Sequence, residues 1–142
     1  MRSLLDINIL IALLDADHIG HTTATAWFAA HAPQGWASCP LTQNGCVRIM
    51  SSRAYPNPMP IQAVTRRLAA ACASPLHEFW ADDISWLDSQ RIDASRAHGP
   101  GQLTDLYLLA LAVHHGGRLV SFDRGISLSA VAGAADHHLL QL

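Results

Sequence analysis

The chain contains no lysine, and all nine of its basic residues are arginine. That absence removes the phosphate-binding loop, whose Gly-Lys-Ser/Thr step needs a lysine at the phosphates. It also argues against phosphoaspartate receivers and haloacid-dehalogenase-like phosphatases, which rely on a lysine near the reactive aspartate. The latter would further want Asp-x-Asp where this chain has Asp6-Ile7-Asn8. A basic excess is missing too. The formal net charge is −2, so nothing resembles the broad basic footprint of a general nucleic-acid binder.

No apolar run approaches the ~20 residues of a membrane span. Arg2 precedes the stretch from Leu4 to Leu14, but Asp6 interrupts it and no small-residue cleavage site follows. The expectation is a cytoplasmic protein without a membrane partner. Cys39, Cys46 and Cys72 are odd in number and form no Cys-x-x-Cys pair, so they read as reduced core thiols. The histidines form no His-Glu-x-x-His. The pairs His18-x-x-His21, His114-His115 and His137-His138 fall at helix starts, helix ends or a strand edge, without a zinc ligand set. His114 and His115 close a long helix, where a cation suits the dipole. Repeats, low-complexity linkers and domain boundaries are absent as well. With 142 residues, 50% of them hydrophobic, one domain over residues 1–142 is expected.

What is present is a set of three aspartates placed where apolar runs meet polar residues. Met1-Arg-Ser-Leu-Leu precedes Asp6, and Gly117-Arg-Leu-Val-Ser-Phe precedes Asp123; both read as buried strands ending in a carboxylate. Gln102-Leu-Thr-Asp-Leu-Tyr-Leu-Leu-Ala-Leu-Ala opens a helix with Thr104 as N-cap and Asp105 in its first turn. Strand ends and the adjacent helix starts of an open α/β sheet converge on one crevice. Carboxylates meeting there repel by roughly 4 kcal/mol per pair at about 4 Å and an effective dielectric near 20. A divalent cation is the usual remedy.

The remaining chain alternates helices with strands. Helices are expected from Asn8 to about Asp15, from His18 to His31 with Ile19, Ala26, Trp27 and Ala30 inward, from Leu41 to Ser52 and from Ile61 to Cys72. Ala37-Ser-Cys and His77 to Ala81 read as strands, and His138 to Leu142 as an edge strand. Ala54-Tyr-Pro-Asn-Pro-Met-Pro is a loop, and residues 84–100 are irregular. The pattern predicts a three-layer α/β/α fold on a mainly parallel sheet.

Four blocks now carry a resemblance. Leu4-Leu-Asp-Ile-Asn-Ile-Leu, Leu41-Thr-Gln-Asn-Gly-Cys-Val-Arg, Leu103-Thr-Asp-Leu-Tyr-Leu-Leu-Ala-Leu-Ala and Leu119-Val-Ser-Phe-Asp-Arg-Gly resemble the motif blocks of PIN-domain ribonucleases, in the same order. Their wording is nearest to the VapC toxins of type II toxin–antitoxin systems. The resemblance implies a PIN-like fold and a site where Asp6, Asp105 and Asp123 bind Mg²⁺ or Mn²⁺. It implies that Asn8 and Thr104 hold the surrounding turns and that Ser121 supports the last carboxylate. It implies hydrolysis of a structured RNA, such as a tRNA or ribosomal RNA stem-loop, leaving a 5′-phosphate and a 3′-hydroxyl.

One position departs from the family. Gln43 stands where many members carry glutamate; an amide can ligate through its carbonyl, yet it adds no charge and cannot act as a base. Together with the near-neutral net charge, this motivates a competing expectation: a catalytically weakened PIN-like module that binds RNA or protein without cutting.

Arginine forks suit phosphate, which makes Arg48, Arg53 and Arg124 candidate RNA contacts. A VapB-like antitoxin is the partner the resemblance implies, with Leu10, Leu13, Trp27, Phe28 and Met50 as its docking surface. A homodimer is also expected, and burial there or in the core would account for the same apolar residues.

Overall fold

Strand β1 (Ser3–Leu5) is only three residues long, yet it lies at the centre of the molecule. In the computed structural model, which describes residues 1–142, it is followed by α1 (Ile7–Leu14), α2 (His21–His31), β2 (Trp36–Ser38) and α3 (Pro40–Met50). Then come α4 (Ile61–Cys72), β3 (His77–Phe79), α5 (Leu103–His114), β4 (Arg118–Ser121) and β5 (Leu139–Gln141). The sheet order is β3-β2-β1-β4-β5, with every pairing parallel. From β1 the chain moves outward to β2 and β3, then crosses to β4 and β5 on the other side. The switch point therefore falls between β1 and β4.

Alternation along the strands sorts two cores. Leu4, Ala37 and Leu119 face one, with Leu106, Leu108, Leu109 and Leu111 of α5. Leu5, Trp36 and Val120 face the other, with Ile9, Cys46, Met50, Val64 and Leu68 from α1, α3 and α4. Helix α5 is apolar nearly all round because it is covered twice. The sheet lies on one side, and Ile92, Ile126 and Val131 from the irregular connections lie on the other. The three-layer architecture is thus as the pattern predicts.

Several boundaries and faces differ. Helix α1 starts at Ile7, because the Asp6 carboxylate accepts from the Ile7 N–H and takes the N-cap. Thr104 is not a cap; a 3₁₀ turn over Pro100–Gln102 runs straight into α5 and leaves Thr104 as its second residue. Helix α2 begins at His21, and it buries Ala24 while Ile19, Ala26 and Ala30 are exposed. Its apolar residues lie nearly all round, so periodicity could not choose the face. Cys39, Cys46 and Cys72 are free thiols, as expected. Leu10 and Met50 are buried core residues rather than an exposed docking surface. Trp27 is half-buried, with the Arg118 guanidinium 5.9 Å from its ring centre.

Candidate active site

At the switch point the three aspartates come together on the α5 side of the sheet. Asp6 follows β1, Asp123 lies two residues beyond β4, and Asp105 sits in the first turn of α5. Asp6 is buried. Its Oδ1 accepts from the Ile7 N–H at 2.7 Å and its Oδ2 from the Ser121 hydroxyl at 2.5 Å. Burial raises its pKa; the bonds from Ser121 and Ile7 oppose this, and the charge of Asp123 adds to it.

Asp105 is displaced furthest, with its carboxyl pushed up to about 7. Desolvation is the main cause, followed by a shared hydrogen bond with Asp123 and the charges of Asp6 and Asp123. Three carboxylates therefore sense one another, and the half-buried member gives up its proton far less readily than a free aspartate. Asp123 is exposed at a turn in which its Oδ1 accepts from the Gly125 N–H at 2.7 Å. Gln141 donates to the Asp123 carbonyl at 2.8 Å. Gln102 donates to the Gly125 carbonyl at 3.3 Å and accepts from His98 N–H at 2.8 Å, fastening the approach to α5 onto that turn. Neither glutamine carries a sequence signal, because the bonds to Gly125 and Asp123 join segments distant along the chain.

Ser121 is the hub. Its hydroxyl donates to Asp6 and accepts from the Asp123 N–H at 2.9 Å and the Asn8 amide at 3.2 Å. The Asn8 carbonyl oxygen in turn accepts from the Phe122 N–H at 3.2 Å, so Asn8 ties α1 to the end of β4. Thr104 lines a neighbouring hollow of about 330 Å³ with Leu41, Asp82, Trp86, Leu103 and Tyr107.

Gln43 makes no hydrogen bond to the carboxylates. Its amide donates to the Ser38 hydroxyl at 2.9 Å, and it lines a groove between α3 and α4 with Cys72. Ser38 lies beside Leu5 in the sheet, whereas Asp6 and Ser121 occupy the next position along their strands. The pleat therefore turns the Ser38 hydroxyl that Gln43 bonds toward the opposite face. Arg48 and Arg53 are exposed on and just after α3. Arg124 is exposed beside Asp123, where its guanidinium donates to the Leu142 carbonyl at 3.3 Å.

The PIN domain family matches residues 3–133. Over 142 residues, covering all of both chains, the protein is 52% identical to Ribonuclease VapC44 of Mycobacterium tuberculosis. Among solved structures, the fold is similar to Mycobacterium tuberculosis VapC20, described as a sarcin-ricin loop cleaving toxin. The TM-score is 0.62 at 16% identity, covering 93% of this chain and 98% of that one. It is also similar to a chain of VapBC2 from Rickettsia felis bound to a promoter DNA fragment, with a TM-score of 0.57 at 12% identity and coverage of 87% and 89%.

Proposed function

From the premise that this chain belongs to the PIN-domain family, among the VapC ribonucleases, we propose a metal-dependent endoribonuclease toxin centred on Asp6, Asp105 and Asp123. The observation that carries the reading is their convergence at the switch point, with Asp105 pushed up to about 7. Carboxylates forced together in this way gain from a cation between them. An all-oxygen donor set of this charge fits a hard divalent ion, Mg²⁺ or Mn²⁺.

When bound, such an ion supplies a water made nucleophilic at neutral pH and neutralises charge on the phosphate. The chain's own residues do the positioning. Ser121 fixes the free rotation of the Asp6 carboxylate, and Asn8 holds the turn from which Asp123 projects. Arg124 stands beside this turn, where its fork suits an RNA phosphate. Arg48 and Arg53 remain candidate phosphate contacts further along α3. No protein nucleophile is needed, and the bond broken is a phosphodiester. The Gln43 amide is engaged by the Ser38 hydroxyl, and as a neutral group it adds no charge to this cluster. A PIN-like module that binds RNA or protein without cutting is the competing reading, motivated by the neutral Gln43 and the net charge of −2.

Neutralisation by a VapB-like antitoxin is part of the proposal. An apolar hollow of about 300 Å³ between α1, α2 and α4, floored by the buried Leu10 and lined by Leu13, Leu14, Thr25, Phe28 and Ala71, suits an antitoxin segment, whereas Met50 lies in the core. A second copy of the chain is the competing occupant. Expression alone should arrest growth, and co-expression with the cognate antitoxin should restore it. Harmless accumulation of intact, soluble protein without a partner would count against the toxin reading.

A further inference from the structure

At the other end of α5, nine residues and about 14 Å along the helix from Asp105, the fold assembles a group the chain order conceals. Asp83 from the segment after β3 meets His114 and His115, and one donor atom from each lies within 4.8 Å of the others. Asp83 Oδ1 is 3.2 Å from His115 Nε2, and Oδ2 is 3.5 Å from His114 Nε2. The edge of a tetrahedron built on ~2.0 Å metal bonds is about 3.3 Å, so each histidine stands at ligand-to-ligand distance from one oxygen of the Asp83 carboxylate.

The rings are also held in place. Trp80 stacks on His115 at 4.4 Å and 9°, and is itself fixed by its indole N–H donating to Glu78 at 3.0 Å. His114 stands edge-on to His115 at 5.1 Å. The site lies at the C-terminal end of α5, where the helix dipole favours a cation. Its three members come from two segments separated by more than thirty residues, and so escaped detection as a ligand set along the chain.

We propose that Asp83, His114 and His115 form a surface site for a borderline transition ion of the Zn²⁺ or Co²⁺ class, with solvent completing the coordination. Imidazole nitrogens select these ions over Mg²⁺, so the site is chemically distinct from the all-carboxylate cluster. Arg91 opposes binding. Its guanidinium, which cannot lose a proton, donates to His114 Nδ1 at 2.9 Å, so that a neutral ring keeps its proton on Nε2. Metal binding at Nε2 requires that contact to break, and Arg91→Ala should therefore bind more tightly.

The test is titration of untagged, folded protein with Co²⁺, followed by its visible absorption, and with Zn²⁺ by calorimetry. Asp83→Asn, His114→Ala, Arg91→Ala and Asp6→Asn are measured beside the parent, with circular dichroism as the fold check. With excess Mg²⁺ present to occupy the carboxylate cluster, the site predicts one Co²⁺ or Zn²⁺ per chain, retained in Asp6→Asn. Asp83→Asn and His114→Ala should weaken it by more than the roughly 10–100-fold that losing an outer-shell partner costs. Absence of binding, loss in Asp6→Asn, or survival in both ligand variants would each overturn it. The last result would point to another group such as His137 and His138. Because none of these readouts uses RNA cleavage, failure here leaves the ribonuclease reading untouched.

Discussion

Ser121 uses its full hydrogen-bonding capacity at the site, one donated bond to Asp6 and two accepted from Asn8 and the Asp123 backbone. Ser121→Ala leaves all three partners short, and a bond to a charged group is worth about 1.5–3 kcal/mol. The variant should melt at lower temperature and need more Mg²⁺ for half-maximal cleavage; parent-like melting and metal dependence would remove Ser121 from this role. The pKa of Asp105 has its own consequence. A carboxyl raised from 3.8 unfolded to about 7 folded favours the folded state at low pH, and loses that advantage as pH rises from about 4 to about 7. Above that window the metal-free parent should gain stability from Asp105→Asn, and below about pH 4 it should not. Thermal melts of both proteins at pH 4 and pH 8, in chelator, check the sign. The aspartates were legible as residues because each sits at a strand end or helix start. Gln102 and Gln141 were not, since their bonds join parts of the chain that only folding brings together.

Helices and strands show a similar division. The strands next to Asp6 and Asp123 and the long apolar α5 were readable from pattern alone, and the structure places them as expected. The inward face of α2 was not, because apolar residues surround that helix and the packing of Ala24 decides it. The Thr104 cap failed because the preceding 3₁₀ turn already feeds the helix. Gln43 matches the family by motif order, whereas its bond to Ser38 depends on how α3 packs on the sheet. Close packing also fixes α3: a Cβ on Gly45 would meet Ile7 Cδ1 at 2.4 Å, so the helix crosses the start of α1 tightly. With Gln43 held by Ser38, Gln43→Glu should lower stability by losing an amide donor, and should leave the Mg²⁺ dependence of cleavage unchanged. Melting curves and a metal titration of activity measure both. A shift of half-maximal activity to lower Mg²⁺ would place the side chain at the metal after all.

At the scale of the whole molecule, the strand order does the assembling. Two short strands meet in parallel at the reversal of the sheet, and α5 delivers Asp105 to the same edge from the layer above. Residues almost a hundred positions apart in sequence thereby share one electrostatic problem, and that problem defines the site. The fold class was legible from the alternation of elements, whereas the second cluster at Asp83 required the three-dimensional path of the chain. The most direct measurement is RNA cleavage by purified parent, Asp6→Asn, Asp105→Asn and Asp123→Asn, with Mg²⁺, with Mn²⁺ and with chelator, each variant verified as folded. The account predicts cutting by the parent only when a divalent ion is present, and none by any of the three variants. Cleavage at the parent's rate by any one of them, or undiminished cutting in chelator, would contradict it.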